Sequence, residues 1–283
     1  MSPAPAPDAA AYRQEIERFR ADRIAELKDD QGWLTLVGLF WLEPGENKFG
    51  SDPADAVVLP EGKAPAVAGT LVRDGRTVTV KVAPGVAVTS GGKSVTTLTL
   101  ADDTKGDPTV LELGTLRFHL VTRIDRVGVR VKDSKSAVYT SFHGLDNFPI
   151  QPDWRVVARW ERSRPPKKLQ ITNVLGMVDE EVSTGAVVFE RDGQTYRLDA
   201  LQHPDGTMLI IFGDGTNGHE TYNAGRFLEA VAPKDGQVVV DFNKAYNPPC
   251  AFTPYATCPL PPPENKLALR IPAGEKKYGS GTH

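Results

Sequence analysis

The sequence predicts a mainly β protein: an antiparallel β-sandwich, then a second antiparallel β-sheet or partly closed barrel, and an N-terminal amphipathic helix. From residue 47 onwards, short apolar runs alternate with turns that contain Gly and Asp, which is typical of sandwiches and barrels. Several runs have the two-residue period of a half-buried strand. In TVTVKV (77–82), the valines face one way and the polar residues the other. Helical patterns do not alternate with these runs, which argues against a parallel α/β fold.

The composition is that of an ordinary globular protein, and it excludes several classes of function. The 283 residues favour one or two domains, and 40% of them are hydrophobic and 24% charged. The net charge is -3 and no basic stripe appears, so we expect no nucleic-acid partner. The apolar runs are too short to span a bilayer, and the first ten residues lack the features of a secretory signal. We therefore expect no membrane partner and a cytoplasmic location.

One amphipathic helix is predicted near the N-terminus, over residues 12–30. Apolar side chains recur there at helical spacing, and charged residues occupy the other face. Asp8 precedes this pattern as an N-cap. The residues expected on the apolar face are Tyr12, Ile16, Phe19, Ile24 and Leu27.

These patterns divide the chain into five parts. The Ala- and Pro-rich beginning and the short polar end have the composition of loose termini. The parts are a disordered leader (1–11), the helix (12–30), a first β domain (31–139), a second β domain (140–278) and a loose tail (279–283).

The first β domain opens with an apolar segment (32–49) that we expect to be core, with a turn at 44–47. Strands separated by turn residues follow in both β domains. The predicted strands are 56–59, 66–72, 77–82, 87–88, 95–100, 109–113, 116–122 and 128–132 in the first domain, and 155–160, 168–174, 184–190, 194–200, 207–212, 225–230, 237–242 and 266–271 in the second.

A glycine-rich polar loop, GDGTNGHETYNAGR (213–226), is the first candidate site. A carboxylate beside a histidine can orient the imidazole as a general base, so Asp214 and His219 are predicted catalytic residues. Tyr222 and Arg226, which follow in the loop, are predicted to bind a ligand. The alternative is ordinary turn chemistry, in which the Asp side chain caps backbone N–H groups.

The segment from Asp241 to Asn247 is the second candidate. Asp241 ends an apolar run, and a carboxylate buried there without partners is costly, so it must find an arginine or a set of N–H donors. We predict a catalytic role for Asp241 and ligand binding for Asn243, Tyr246 and Asn247. A purely structural ion pair at Asp241 is the alternative.

The two cysteines, Cys250 and Cys258, lie in the Pro-rich loop that follows this segment. Their spacing fits neither the usual zinc ligands nor a C-x-x-C redox pair. Packed thiols or a disulfide are expected. A zinc ion held by both cysteines and a nucleophilic Cys250 are the alternatives, so we expect no cofactor unless zinc is bound.

Four motifs together carry a family resemblance: GWLTLVGLFWLEPGENKFGSD, DGTNGHETYNAGRFL, DFNKAYNPPCAF and AGEKKY. The chain resembles, from about Tyr12 to Tyr278, the bacterial and archaeal family known as domain of unknown function 1684. The resemblance implies no activity. Because the last motif closes the domain, it places Glu275 in the same site as Asp241, as a further predicted catalytic residue. The alternative is a surface glutamate in a charged tail.

A second resemblance covers residues 42–131, whose order of features is similar to that of a forkhead-associated β-sandwich. Gly45 and Gly50 flank a first strand, and a GGK turn follows at residues 91–93. The resemblance implies a phosphothreonine-binding surface, which needs an arginine just after the glycine of the first loop. Ser51 stands there instead, so the shape is expected without phosphopeptide recognition.

The site residues favour a small-molecule-binding protein or a cofactor-independent enzyme of hydrolytic or general acid–base type, with a polar pocket in the C-terminal half. A GxSxG elbow, a Walker loop and a dinucleotide fingerprint are all absent from the sequence. The alternative is a non-enzymatic interaction module that uses the forkhead-associated-like sandwich, with a purely structural C-terminal motif. The first hypothesis requires the named side chains to converge within about 8 Å, near hydrogen-bond or one-water reach.

Overall fold

The computed structural model describes residues 8–203 and 205–279. Most of the predicted leader and of the predicted tail lies outside these residues. The chain divides into two compact units. Lys28–Phe142 forms one unit, and the N-terminal helix joins the segment that begins at His143 to form the other. The helix, which the sequence treats as a separate part, therefore belongs to the second β unit.

Helix α1 spans Ala9–Leu27, so it begins and ends three residues before the predicted limits. Asp8 accepts a hydrogen bond from the backbone N of Ala11 at 3.4 Å, as expected of an N-cap. The buried face carries Tyr12, Ile16 and Leu27, with one charged residue, Arg23, among them. These four residues recur at helical spacing, so α1 packs with a single face.

The unit Lys28–Phe142 is a β-sandwich, which confirms this part of the predicted fold. Its six-stranded sheet has the order β1-β11-β10-β9-β6-β7 and its five-stranded sheet the order β3-β2-β4-β5-β8. Phe49 of one sheet packs against Phe118 of the other, with ring centroids 5.7 Å apart, within one shared core. A short helix α2 (Ala137–Thr140) follows. The strands are β1 (Leu36–Trp41), β2 (Gly45–Gly50), β3 (Val57–Val58), β4 (Gly69–Asp74), β5 (Thr77–Val82), β6 (Thr89–Ser90), β7 (Lys93–Ser94), β8 (Thr97–Leu100), β9 (Leu111–Leu113), β10 (Leu116–Arg123) and β11 (Arg126–Asp133).

The second unit is built on one antiparallel sheet of six strands, in the order β16-β15-β14-β13-β12-β17. The two edge strands, β16 and β17, contact each other, so the sheet curls into the predicted partly closed barrel. Phe189, Phe212 and Phe242 meet in its core. The strands are β12 (Arg155–Thr172), β13 (Val178–Arg191), β14 (Gln194–Gln202), β15 (Met208–Phe212), β16 (Arg226–Ala230) and β17 (Gln237–Asp241).

Some predicted elements are wrong. Residues 266–271 form no strand, although LALRI alternates as a strand does. Their backbone bonds instead to the polar loop, as in Leu267 N to Gly213 O at 2.8 Å, and Lys266 makes only an isolated bridge to Gly213. Residues 87–88 are not a strand either. The two strands predicted at 155–160 and 168–174 are one continuous strand, β12, with a register shift against β13 between Arg162 and Lys167.

In the part of the chain that the structure describes, neither helix is long and apolar enough to cross a membrane.

Candidate functional site

Asp214 is the centre of the polar loop that follows β15. One carboxylate oxygen, Oδ1, accepts hydrogen bonds from the backbone N and the hydroxyl of Thr216, at 3.2 and 2.6 Å. The other, Oδ2, accepts from the backbone N of Ile271 at 2.7 Å and from Arg226 Nη2 at 3.1 Å. Four donors thus serve this buried carboxylate, which joins the loop to the segment 271–273.

Arg226 is the buried partner of Asp214, at the start of β16. Its guanidinium donates to the backbone carbonyls of Ala273 and Ile271 and lies 5.2 Å from the centroid of the Phe212 ring. Burial lowers the pKa of Arg226, and the nearby Asp214 carboxylate opposes that shift. The guanidinium therefore holds the loop and the segment 271–273 together from the inside.

Asn217 fixes the shape of the loop. Its Oδ1 accepts from the backbone N of Asp214 at 2.6 Å, and its Nδ2 donates to the carbonyl of Tyr222 at 2.8 Å. The hydroxyl of Tyr222 donates to the carbonyl of Cys250 at 3.1 Å. Burial raises the pKa of Tyr222, which keeps its hydroxyl a donor.

His219 lies apart from the Asp214 carboxylate. Its side chain is exposed, and in the described part of the chain its imidazole has no hydrogen-bond partner. All four donors to Asp214 are other groups. The structure therefore does not bring these two residues together as a carboxylate–imidazole pair, and their catalytic roles stay predictions.

A cleft of about 420 Å³, here called the loop cleft, opens beside this loop. The Asp214 carboxylate lies in the wall of this cleft, but its negative charge is already balanced by the positive charge of Arg226. Asn223 and Lys266 are exposed, and neither side chain has a hydrogen-bond or ion-pair partner in the residues described. The apolar part of the wall is formed by Leu260, Pro261 and Leu267.

Asp241 ends β17 and binds helix α1 instead of an arginine. The hydroxyl of Tyr12 lies 2.9 and 3.0 Å from its two carboxylate oxygens, and the backbone N and side-chain amide of Asn243 donate to it at 3.1 and 3.2 Å. Burial raises the pKa of Asp241, and the hydrogen bonds from Tyr12 and Asn243 oppose that shift. Burial also raises the pKa of Tyr12, so the hydroxyl remains a donor.

Glu275 is 3% exposed, so the alternative of a surface glutamate is wrong. Its carboxylate accepts from Arg23 Nε at 3.2 Å and from the backbone N of Asn247 at 2.8 Å. Arg23 also donates to the carbonyl of Asn247 at 3.0 Å and lies 4.8 Å from the centroid of the Tyr246 ring. Burial raises the pKa of Glu275, and the charge of Arg23 opposes that shift.

The predicted site residues thus form separate networks. Asp241 and Glu275 both bind α1, but their partners there, Tyr12 and Arg23, lie eleven residues apart, or about 16 Å along a helix axis. Asp214 and its partners form another network beneath the loop cleft. The segment 271–275 links the networks, because its carbonyls bind Arg226 and its last residue binds Arg23.

A second cleft, of about 500 Å³ and here called the helix cleft, lies between α1 and the sheet. It is lined by Phe19, Arg23, Glu26, Lys244 and Tyr246, among others. Its cations are already paired, Arg23 with Glu275 and Glu26, and Lys244 with Glu15. The hydroxyl of Tyr246 donates to Glu229 at 3.0 Å.

Sequence reasoning missed Tyr12 and Arg23 as parts of the site. Tyr12 was expected on the apolar face of the helix, and it does lie there. The sequence did contain one signal of this role. Arg23 is a charged residue that falls on the same helix face as Tyr12, Ile16 and Leu27. A charge on a buried face requires a buried partner.

Within residues 8–203 and 205–279, no three His, Cys, Asp or Glu side chains gather in a way that could hold a metal ion. Cys250 and Cys258 are both buried thiols. In the described residues, the zinc alternative therefore has two of the usual four ligands, the thiols of Cys250 and Cys258.

The family model described as "Protein of unknown function (DUF1684)" matches residues 140–276. An uncharacterised protein of Haloarcula marismortui, solved by solution NMR, is 31% identical to this chain, and the match covers 48% of this chain and 78% of that one with a TM-score of 0.41. The chain belongs to this family. Members of it are described only as proteins of unknown function, so membership names no activity.

Forkhead-associated (FHA) domains show a weaker similarity. The FHA domain of FhaA is 17% identical, with 33% of this chain and 97% of that one covered and a TM-score of 0.24. An FHA domain solved in a study of phosphothreonine-dependent interactions is 18% identical, with 35% and 96% covered and a TM-score of 0.24. No curated protein matches this sequence.

Proposed function

We propose that this member of the DUF1684 family binds a small anionic molecule in the loop cleft. The observation that carries the proposal is Lys266, an exposed cation in the cleft wall without an ion-pair partner in the residues described. Because Arg226 neutralises Asp214, Lys266 leaves the cleft with a net positive charge. A carboxylate or phosphate group has the complementary charge.

The rest of the cleft suits a small organic anion. Its volume of about 420 Å³ lies in the usual range for small-molecule pockets. The side-chain amide of Asn223 offers both a donor and an acceptor. Leu260, Pro261 and Leu267 offer an apolar wall for the carbon skeleton of the ligand. The shape is held in advance by Asn217 and Asp214, which limits the ordering that binding must impose.

The contacts of the acids favour binding over acid–base catalysis. The Asp214 carboxylate already accepts four hydrogen bonds, which occupy the lone pairs that a general base would use. Asp241 and Glu275 face helix α1. His219 is not part of the cleft wall. Asn223 and Lys266 are therefore the residues that we expect to contact the ligand.

The test is a titration of ¹⁵N-labelled protein with inorganic phosphate and with short mono- and dicarboxylates, followed by NMR. We expect shifts of the amides that line the loop cleft. Lys266→Gln should weaken the best of these ligands about tenfold, the loss of about 1.4 kcal/mol, whereas Lys266→Arg should retain binding. Lys234→Gln, which removes an exposed lysine of the same unit, is the matched control. Shifts confined to other surfaces, or equal affinity of Lys266→Gln and wild type, would contradict the proposal.

A further inference from the structure

The two cysteines meet in the Pro-rich loop after β17. Cys250 lies in the 3-10 helix Pro249–Ala251, and the chain turns back so that Cys258 packs against it. The backbone N of Cys250 donates to the sulfur of Cys258 at 3.2 Å. Since an N–Cα bond is about 1.46 Å long, that sulfur lies within about 4.7 Å of the Cys250 Cα. A sulfur this close to the Cα atom of the other cysteine can reach that cysteine's sulfur with a local side-chain adjustment.

The two thiols share one buried environment. A hydrogen bond from Cys258 lowers the pKa of the Cys250 thiol, while burial opposes that shift and the Tyr222 hydroxyl assists it. The thiolate is the form of cysteine that attacks an electrophile. The lowered pKa favours Cys250 as the nucleophile of the pair, and the sulfur of Cys258 lies close enough to attack the Cys250 sulfur once that sulfur is oxidised.

Access to the pair is narrow but not closed. Cys250 and Cys258 are 4% and 5% exposed. Between them, Pro254 and Tyr255 are exposed at the surface of the loop. This geometry admits a very small oxidant such as hydrogen peroxide more readily than a bulky disulfide.

We propose that Cys250 and Cys258 are a peroxide-oxidisable dithiol that closes to an intramolecular disulfide. The Cys250 thiolate attacks one oxygen of hydrogen peroxide, the O–O bond breaks, and Cys250 becomes a sulfenic acid as hydroxide leaves and is protonated to water. The sulfur of Cys258 then attacks the sulfenic sulfur, and a second water leaves. Two thiols are oxidised by two electrons, and one peroxide is reduced to two waters.

The oxidised pair would act on the polar loop through contacts already described. Tyr222 binds the carbonyl of Cys250, and Asn217 holds the carbonyl of Tyr222. Pro261, three residues after Cys258, lies in the wall of the loop cleft. The inference itself rests on the cysteine geometry and does not require that the cleft bind an anion.

The experiment treats the full-length native protein with hydrogen peroxide and measures thiol content and mass. Peroxide also oxidises methionine, and the chain has three methionines, so the mass is followed on the tryptic peptide 245–266, which holds both cysteines and no methionine. We expect both thiols to disappear together, the mass to fall by two hydrogens, the protein to remain free of intermolecular disulfides on a non-reducing gel, and dithiothreitol to restore both thiols. A gain of oxygen by the peptide 245–266, intermolecular disulfides, or thiols that persist while free cysteine is fully oxidised would overturn the proposal.

Two single variants assign the roles. Cys258→Ser should stop at the Cys250 sulfenic acid, which dimedone traps, because the resolving sulfur is gone. Cys250→Ser should react with dimedone at least tenfold more slowly. Equal trapping in the two variants would overturn the assignment of Cys250 as nucleophile. If either variant fails to fold, the mass and thiol content of the wild type still decide whether the disulfide forms.

Discussion

At the scale of single residues, three buried carboxylates connect separate parts of the second unit, and each has a different kind of partner. Asp214 binds an arginine of the same sheet, Asp241 binds a tyrosine hydroxyl, and Glu275 binds an arginine of helix α1. Breaking such a pair leaves an uncompensated buried charge, which costs more than the pair itself contributes.

The pair Asp214–Arg226 gives the first prediction. Asp214→Asn keeps the shape of the side chain but removes its charge, so the buried Arg226 loses the counter-charge to which its guanidinium is hydrogen-bonded. We expect the free energy of unfolding to fall by about 3–5 kcal/mol, measured by urea denaturation.

The matched control is Glu220→Gln, which breaks the exposed pair between Glu220 and Arg270 in the same loop. That change should cost at most about 1 kcal/mol. A loss for Asp214→Asn no larger than that for Glu220→Gln would show that the buried pair is not structural.

The raised pKa of Asp241 gives a prediction about pH. The folded protein protonates this group above its ordinary value of 3.8, whereas the unfolded chain protonates it near that value. The contribution of Asp241 to the free energy of unfolding therefore rises as pH falls through the folded pKa, and is complete below 3.8. Asp241→Asn lacks this contribution.

We therefore expect wild type to gain stability relative to Asp241→Asn as pH falls from about 7 to about 4, in parallel urea titrations. Taking the difference between the two proteins cancels the other acids. A difference that stays constant, or that shrinks as pH falls, would contradict the raised pKa.

The sequence located the polar positions of the site but not their partners. The position of Asp241 at the end of an apolar run predicts a buried carboxylate, and we expected an arginine or a set of N–H donors to bind it. The main partner is Tyr12, 229 positions earlier in the chain. A tyrosine on the apolar face of a helix is interpreted as a core residue, because its ring is apolar and only its hydroxyl is polar.

At the scale of elements, helix α1 is held by hydrogen bonds at both ends of its buried face as well as by apolar packing. Tyr12→Phe keeps the ring and removes the hydroxyl that serves Asp241 and Asn243. We expect a loss of about 1–3 kcal/mol in the free energy of unfolding, because a buried acceptor is left unpaired.

Tyr246→Phe is the control for that variant, since it removes a tyrosine hydroxyl of the same unit that binds Glu229 near the surface. Its effect should stay within about 0.5 kcal/mol. Equal effects of the two variants would mean that the Tyr12 hydroxyl contributes nothing specific to the docking of α1.

The limits of a strand are predicted correctly where the alternation of apolar and polar residues reflects which side chains are buried. TVTVKV became β5 with the predicted limits, because Val78 and Val80 are buried between polar neighbours. The pattern LALRI (267–271) failed, because its alternating side chains lie beside the polar loop and its backbone bonds to Gly213, Gly215 and Asp214. Alternation shows that one side is buried and leaves open what the backbone bonds to.

At the scale of the whole molecule, the sandwich unit interrupts the other unit in sequence. Lys28–Phe142 has its own core and should fold as an isolated fragment. Residues 143–279 alone lack Tyr12 and Arg23, so Asp241 and Glu275 lose their helix partners. We expect that fragment to show no cooperative unfolding by circular dichroism until a peptide of residues 8–27 is added.

The same mixture tests the role of Arg23. A peptide with Arg23→Ala should bind the 143–279 fragment at least tenfold more weakly, because Glu275 is left buried without a counter-charge. Arg13→Ala, at an exposed position of the helix, should bind as the original peptide does. Cooperative unfolding of the fragment without any peptide would show that α1 is dispensable.

The contact between Arg23 and Glu275 spans 252 positions, and this has a consequence for synthesis on the ribosome. At about 5–20 residues per second, helix α1 emerges about 10–50 s before its last partner does. During that interval the sandwich can complete its own folding, while the apolar stripe of α1 stays uncovered. Until Glu275 has emerged, the nascent chain therefore exposes an apolar helix face that a chaperone can bind, and this unit can close only after that point.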